Sequence, residues 1–255
     1  MTKKDVPMHV AVTGGGRGIG REIVRALAED GYSVTFTYRE SATQSKDLLG
    51  ELQTSWPDQE FQACRVDLAK RSEVDTFTDR LSESDDLYGL IHNAGLTYDA
   101  LAAMVDQDEA EKIMQVNFWS LTRLVTGVVR PMVRGRAGRI IGIGSIAALH
   151  TTPGNAVYAA TKGAMLSYLR TLAVELARKG VTANFIAPGY VDTDMVAAYS
   201  AYRDRMEKQI PAGRFANACE VAALVRHLIS PAAGYINGSV LPIDGGMNAG
   251  IALRD

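Results

Sequence analysis

Met8-His9-Val10-Ala11-Val12-Thr13-Gly14-Gly15-Gly16-Arg17-Gly18-Ile19-Gly20 decides how the chain is read. Met8 to Thr13 is a short apolar, β-branched run, the pattern of a strand buried on both faces. Arg21 to Glu29 has helical periodicity, Gly31 closes that helix, and Tyr32 to Tyr38 reads as a second strand. Strand, glycine loop, helix and strand in this order form the unit that holds a dinucleotide. The glycines let the backbone turn tightly and approach a pyrophosphate, whose charge the helix N-terminus meets. The spacing over Gly14, Gly18 and Gly20 is G-x-x-x-G-x-G, one residue longer than the common G-x-G-x-x-G form.

Outward from this unit, strands and helices keep alternating. A helix over Gln44 to Gln53 ends at Trp56-Pro57. Phe61 to Val66 is a third strand ending at Asp67-Leu68, and Leu87 to His92 a fourth, running into Asn93-Ala94-Gly95. A helix over Gln107 to Met132 carries Asn117, a strand over Gly138 to Gly144 follows, and then a long helix over Ala156 to Arg178. Val181 to Ala187, stopped by Pro188-Gly189, is a sixth strand. Glu220 to Ile229 is a helix and Ser239 to Ile243 a last strand. The alternation predicts an α/β fold: a Rossmann-type, doubly wound parallel sheet of about seven strands with helices on both faces, in one domain over 1–255. Tyr190 to Arg214 is polar and rich in Tyr and Met, and it lies where a substrate lid is expected, at about 190–214.

With 255 residues, 47% hydrophobic and 22% charged, the chain has the composition of a globular domain. A net charge of −2 provides no global field toward nucleic acid or membrane. Cys64 and Cys219 lie far apart without CxxC or histidine company, so they predict packing residues and neither a metal site nor a disulfide. The apolar run after Lys3 and Lys4 is too short for a signal peptide, and none reaches a membrane span; the expected location is cytoplasmic.

Two positions carry the cofactor choice. An acidic residue after the second strand would hold a ribose 2′-hydroxyl, whereas arginine accommodates a 2′-phosphate. Here the strand ends Thr37-Tyr38-Arg39 and Arg17 lies in the loop, which favours NADPH; Glu40 is the contrary sign. Asp67 is placed either to accept from an adenine amino group or to cap the helix that begins near Ser72. Asn117, on an apolar helix face, needs hydrogen-bond partners.

Ser145 to Lys162 carries the chemistry. Tyr158 and Lys162 are one helical turn apart on one face. A phenol titrating near ~10 is a poor acid at neutral pH unless a cation sits beside it, and the lysine supplies one. Ser145, at the end of the fifth strand, can aim its hydroxyl at the same point.

These pieces, Thr13-Gly14-x-x-x-Gly18-Ile19-Gly20, Asn93-Ala94-Gly95, Asn117, Ser145, Tyr158-x-x-x-Lys162 and Pro188-Gly189 with Thr193, resemble the short-chain dehydrogenase/reductase family over essentially the whole chain. Within it the chain most resembles the 3-oxoacyl-[acyl-carrier-protein] reductases, through residues 184–195, Ile210 to Arg214 and the Asp244-Gly245-Gly246-Met247 ending. One departure is His92, where that subgroup usually has a second Asn before Asn93.

The resemblance implies that Tyr158 donates a proton, Ser145 binds the substrate carbonyl, and Lys162 lowers the tyrosine pKa and binds ribose hydroxyls. It further implies that Asn117 anchors a water relay to Lys162. Cofactor contacts are expected at Gly14, Gly16, Arg17, Gly18, Ile19, Gly20, Arg39, Asp67, Leu68, Asn93, Ala94, Gly95, Tyr158, Lys162, Pro188, Gly189, Val191 and Thr193. No metal is needed.

By the same resemblance, basic residues near Arg130, Arg134, Arg136, Arg139, Arg178 and Lys179 receive an acidic acyl carrier protein; Arg134, Arg136, Arg178 and Lys179 are the docking candidates. The helices from Gln107 and Ala156 are expected to pair into dimers or tetramers, of identical chains or with a paralogue. Two other readings stand beside reduction of a 3-oxoacyl thioester. One is a dehydrogenase of a free alcohol, ketone, sugar or steroid; the other is a non-catalytic cofactor-binding subunit.

Overall fold

The computed structural model describes residues 8–194 and 202–249. Its centre is a seven-stranded parallel sheet in the order β3-β2-β1-β4-β5-β6-β7. The strands are β1 His9–Thr13, β2 Ser33–Tyr38, β3 Phe61–Arg65, β4 Leu87–His92, β5 Gly138–Ile143, β6 Val181–Pro188 and β7 Val240–Ile243. The order reverses between β1 and β4, and a doubly wound sheet opens a crevice at the carboxyl ends of its strands at such a point.

Strand alternation builds two cores. Val10, Val12, Ile91, Ile141, Ile143 and Ile186 point to one face, under α1 Gly18–Glu29, α2 Ala42–Ser55 and a C-terminal helix over Ala218–Ile229. Ala11, Leu90, Ile140, Ala183 and Phe185 point to the other, under α3 Arg71–Ser82, α4 Gln107–Met114, α5 Ser120–Gly135 and α6 Ala156–Leu176. Both faces are therefore dry, which is why these strands read as nearly continuous apolar runs. A short α7, Arg203–Glu207, precedes the C-terminal helix, which becomes α8.

The long helix expected from Gln107 runs to Gly135, with a π-turn at Gln115–Trp119 between α4 and α5. A π-turn adds a residue to one helical turn and is frequent at functional sites; hydrophobic periodicity does not reveal it. Three other expectations are corrected. Asp67 does not cap a helix: α3 starts at Arg71 with no side-chain cap, and Asp67 Oδ1 instead accepts from Ala69 N at 3.1 Å. Cys219 is exposed in the first turn of α8, while Cys64 packs against the second core. Arg139 is only 6% exposed, inside β5, with its guanidinium over the Tyr88 ring, so it is no part of a surface patch. Residues 195–201 of the expected lid lie outside the described residues. On either side of them, Arg203 makes a two-point contact with Asp192 at 3.1 and 2.9 Å.

Candidate active site

At the carboxyl end of β1 the backbone leaves the sheet through Gly14, at φ +67°, and Gly18, at φ +55°. The loop is pinned to β2: Gly14 N donates to Thr37 Oγ1 at 3.1 Å and Gly15 N to Thr37 O at 2.9 Å. At Gly20 a Cβ would lie 2.1 Å from Gly14 O, so glycine alone allows α1 to start so close to the strand end. The first turn of α1 has no acidic residue and its N-cap, Arg17, makes no side-chain cap. Its amides are therefore available to an anion, the arrangement a pyrophosphate requires.

This loop forms one wall of an open-sided cleft of about 360 Å³. Of the expected cofactor contacts, all but Gly20 line it; Gly20 acts from behind by permitting the turn. Asn93 lines the cleft, but its Nδ2 is committed to the loop, donating to Thr13 O at 3.2 Å and Gly14 O at 3.0 Å. Arg17 and Arg39 stand at one end beside Ser41 and Gln44. Each arginine faces a carboxylate, Arg17 to Asp194 at 3.9 Å and Arg39 to Glu40 at 2.8 Å. Both pairs are largely exposed and hold little energy, so a phosphate can compete for the guanidinium groups. The cradle fits an NADP-type dinucleotide.

At the other end of the cleft are Ser145, Tyr158 and Lys162. Ser145 follows β5 through Gly144, whose Cβ would lie 1.9 Å from the Phe185 ring. Ser145 Oγ accepts from Ala147 N at 3.1 Å, which leaves its proton to be donated into the site. Lys162 is 3% exposed; its Nζ donates to Ile143 O at 3.1 Å and sits 5.6 Å from the Tyr158 ring centroid. Burial lowers its pKa to about 8. For Tyr158, burial raises the phenol pKa, the Ser145 hydroxyl pulls it down and the charge of Asp99 pushes it up. With its pKa raised, the phenol is protonated at neutral pH, the state a proton donor needs.

Asn117 does not line the cleft. It sits fully buried in the π-turn with both amide hydrogens used: Oδ1 accepts from Leu96 N at 2.8 Å, and Nδ2 donates to Leu96 O at 2.9 Å and Thr161 Oγ1 at 3.0 Å. Thr161 in turn donates to Tyr158 O at 2.8 Å, so Asn117 braces the first turn of α6. The partners that its place on an apolar face demanded are these.

The docking candidates Arg134, Arg136, Arg178 and Lys179 are exposed, Arg134 facing Asp85 at 3.3 Å. The turn at Gly180 packs on the carbonyl of Arg136, which brings both pairs together at the amino ends of β5 and β6. Six strand residues, about 20 Å, separate them from the end of β5 that leads to Ser145. Sequence reasoning passed over Thr13 as a hydrogen-bonding hub, the double engagement of His92, and Asp99. Thr13 and His92 look like ordinary strand-end residues, because their partners lie about 80 or 25 positions away.

A dinucleotide cleft at the switch point of a doubly wound sheet, with a Ser, Tyr and Lys converging where a nicotinamide would lie, defines a nicotinamide-dependent oxidoreductase. The family model described as enoyl-(acyl carrier protein) reductase matches residues 14–248. The chain belongs to the short-chain dehydrogenase/reductase family. It is 37% identical over 247 residues to the 3-oxoacyl-[acyl-carrier-protein] reductase MabA of Mycobacterium tuberculosis, covering 96% of this chain and 94% of that protein. It is 37% identical over 241 residues to the 3-oxoacyl-[acyl-carrier-protein] reductase FabG of Vibrio cholerae, covering 92% and 95%. Among solved structures, a gluconate 5-dehydrogenase from Burkholderia cenocepacia in complex with NADP and tartrate superposes with a TM-score of 0.88 at 29% identity, over 96% of this chain and 97% of that one.

Proposed function

We propose that the chain reduces the 3-oxo group of an acyl thioester, carried on acyl carrier protein, to the 3-hydroxy form with NADPH, in fatty acid or polyketide-like synthesis. The observation that carries this reading is the charge around the catalytic end of the cleft. Among the described residues, the only cations lining the cleft are Arg17, Arg39 and Lys162. The two arginines stand at the phosphate end, and Lys162 is buried behind Tyr158. The charge of Asp99 also reaches Tyr158. Among the described residues a carboxylate substrate such as gluconate would find no cation there except buried Lys162, whereas a 3-oxoacyl thioester brings no charge to the reacting carbon.

When bound, NADPH supplies a hydride to the carbonyl carbon. Ser145 donates to the carbonyl oxygen, and Tyr158 gives its proton to the oxygen as negative charge develops there. Lys162 beside the ring favours the phenolate left behind, and Asn117 keeps both residues in place through Thr161. Such acid assistance contributes ~10²–10⁴-fold.

The basic patch at Arg134, Arg136, Arg178 and Lys179 has the charge to receive an acidic carrier. A carrier docked there would have to present its thioester about 20 Å away, to the cleft of this chain or of a neighbouring copy. Exposed Trp119 in the π-turn and Val174 on α6, 48% and 81% exposed, offer the apolar surface for such an assembly.

Acetoacetyl-carrier protein should drive the loss of NADPH absorbance, and Tyr158→Phe should abolish it. Substantial turnover by that variant would refute the assigned acid. The second reading, a sugar or polyol dehydrogenase, has the Burkholderia structure in its favour. It prevails if gluconate or a free ketone turns over while the carrier thioester does not.

A further inference from the structure

His92 is fully buried at the carboxyl end of β4, between the cofactor loop and the π-turn, and both of its ring nitrogens are engaged. Nδ1 lies 3.2 Å from Thr13 Oγ1 and Nε2 lies 3.3 Å from Asn117 O. The neighbours decide which nitrogen carries the proton. Thr13 Oγ1 accepts from Asn93 N and from Ala94 N, both at 3.0 Å. A hydroxyl has two acceptor sites and one proton, so with both acceptor sites filled its proton must go to His92 Nδ1. Nδ1 is then an acceptor, the proton of the neutral ring sits on Nε2, and Nε2–H donates to the Asn117 carbonyl. A second proton on Nδ1 would break the bond from Thr13, and the buried charge of Lys162 opposes it; burial and that charge together lower the imidazole pKa to about 3.

We infer that His92 is a positioning residue, a neutral Nε2–H imidazole that joins Thr13 at the root of the cofactor loop to the Asn117 carbonyl in the π-turn. The chain runs from the amides of Asn93 and Ala94 through Thr13 Oγ1–H and His92 to Asn117. From Asn117 it continues through Thr161 to the backbone of Tyr158. An asparagine at position 92 is too short to bridge both partners, so this chain fastens the two ends of its cleft together by a contact of its own. The inference rests on the proposed Tyr158 and Lys162 chemistry for its kinetic readout alone.

The chain has four histidines, which makes a ¹⁵N-histidine-labelled sample tractable. His92 is assigned as the imidazole missing from the His92→Gln spectrum. Its Nε2 should resonate as a protonated, pyrrole-type nitrogen and its Nδ1 as a pyridine-type one, unchanged between about pH 5.5 and 9, with or without NADPH. A titrating ring, or the opposite tautomer, overturns the inference.

In kinetics, His92→Asn keeps an acceptor for Thr13 and loses the donor to Asn117, whereas His92→Gln keeps a donor of the right reach. His92→Asn should lose about tenfold in kcat, with KM for NADPH within about twofold of the parent, and His92→Gln should recover most of the loss. Wild-type kcat in His92→Asn, or equal losses in both variants, overturns the positioning role. If carrier thioesters are not turned over at all while the NMR signature is as described, the substrate reading fails and the His92 bridge stands.

Discussion

Lys162 holds its charge in a place that penalises it, and replacing it separates stability from activity. Holding a buried ammonium whose pKa falls from 10.5 to about 8 costs the folded state about 3 kcal/mol below pH 8. Lys162→Met removes that cost and also removes the hydrogen bond to Ile143 O, worth about 1 kcal/mol, and a ring contact worth about 0.5–1 kcal/mol. The variant should therefore be about 1–2 kcal/mol more stable than the parent at pH 6.5 and catalytically dead.

The pH dependence has a definite sign. The unfolded chain binds the lysine proton more tightly than the folded one, so the parent gains stability as pH rises from 8 to 10.5 and the variant does not. The gap should shrink through that window, change sign at about pH 9 where the falling burial cost drops below the lost contacts, and leave the variant the less stable of the two by pH 10. Urea unfolding of the cofactor-free proteins at pH 6.5, 8 and 10 reads it directly. A variant less stable than the parent at pH 6.5, or a gap independent of pH, would refute the argument that Lys162 is held charged against its burial.

Three further outcomes follow from the cleft. Gly20→Ala places a Cβ 2.1 Å from Gly14 O and 2.6 Å from Asn93 Nδ2, so the loop must open; NADPH binding, followed by fluorescence, should fall at least about tenfold, at a stability cost of about 1–3 kcal/mol. Glu40→Gln frees Arg39 from its carboxylate and should tighten NADPH binding about two- to fivefold at low salt, with NADH unchanged and the gain lost at high salt. Asn117→Ala leaves Leu96 N and O and Thr161 Oγ1 without their partner; the loss should exceed 2 kcal/mol in unfolding and lower kcat far more than it raises KM for NADPH.

Sequence alone determined what local patterns encode. Apolar β-branched runs separated by amphipathic stretches specify parallel strands covered on both faces, and the seven strands lie within a residue or two of the expected runs. The glycine spacing specifies a positive-φ turn into a helix, and the i, i+4 pair Tyr158 and Lys162 is a property of any helix through those residues. What the tertiary structure decided was everything set by non-local contact. The π-turn holds a buried Asn117 amide that meets Leu96 and Thr161, contacts which no periodicity in 107–132 encodes. Arg139 reads as one more arginine in a basic run, and only the sheet turns it inward over Tyr88. The direction of the pKa shift at Tyr158 was likewise beyond sequence, because burial of the ring raises it, the Ser145 hydroxyl lowers it, and only depth decides between them. His92 carries the lesson furthest. As a letter it was a small departure at a strand end; in the fold, the two amides that fill Thr13 Oγ1 settle which of its nitrogens holds the proton.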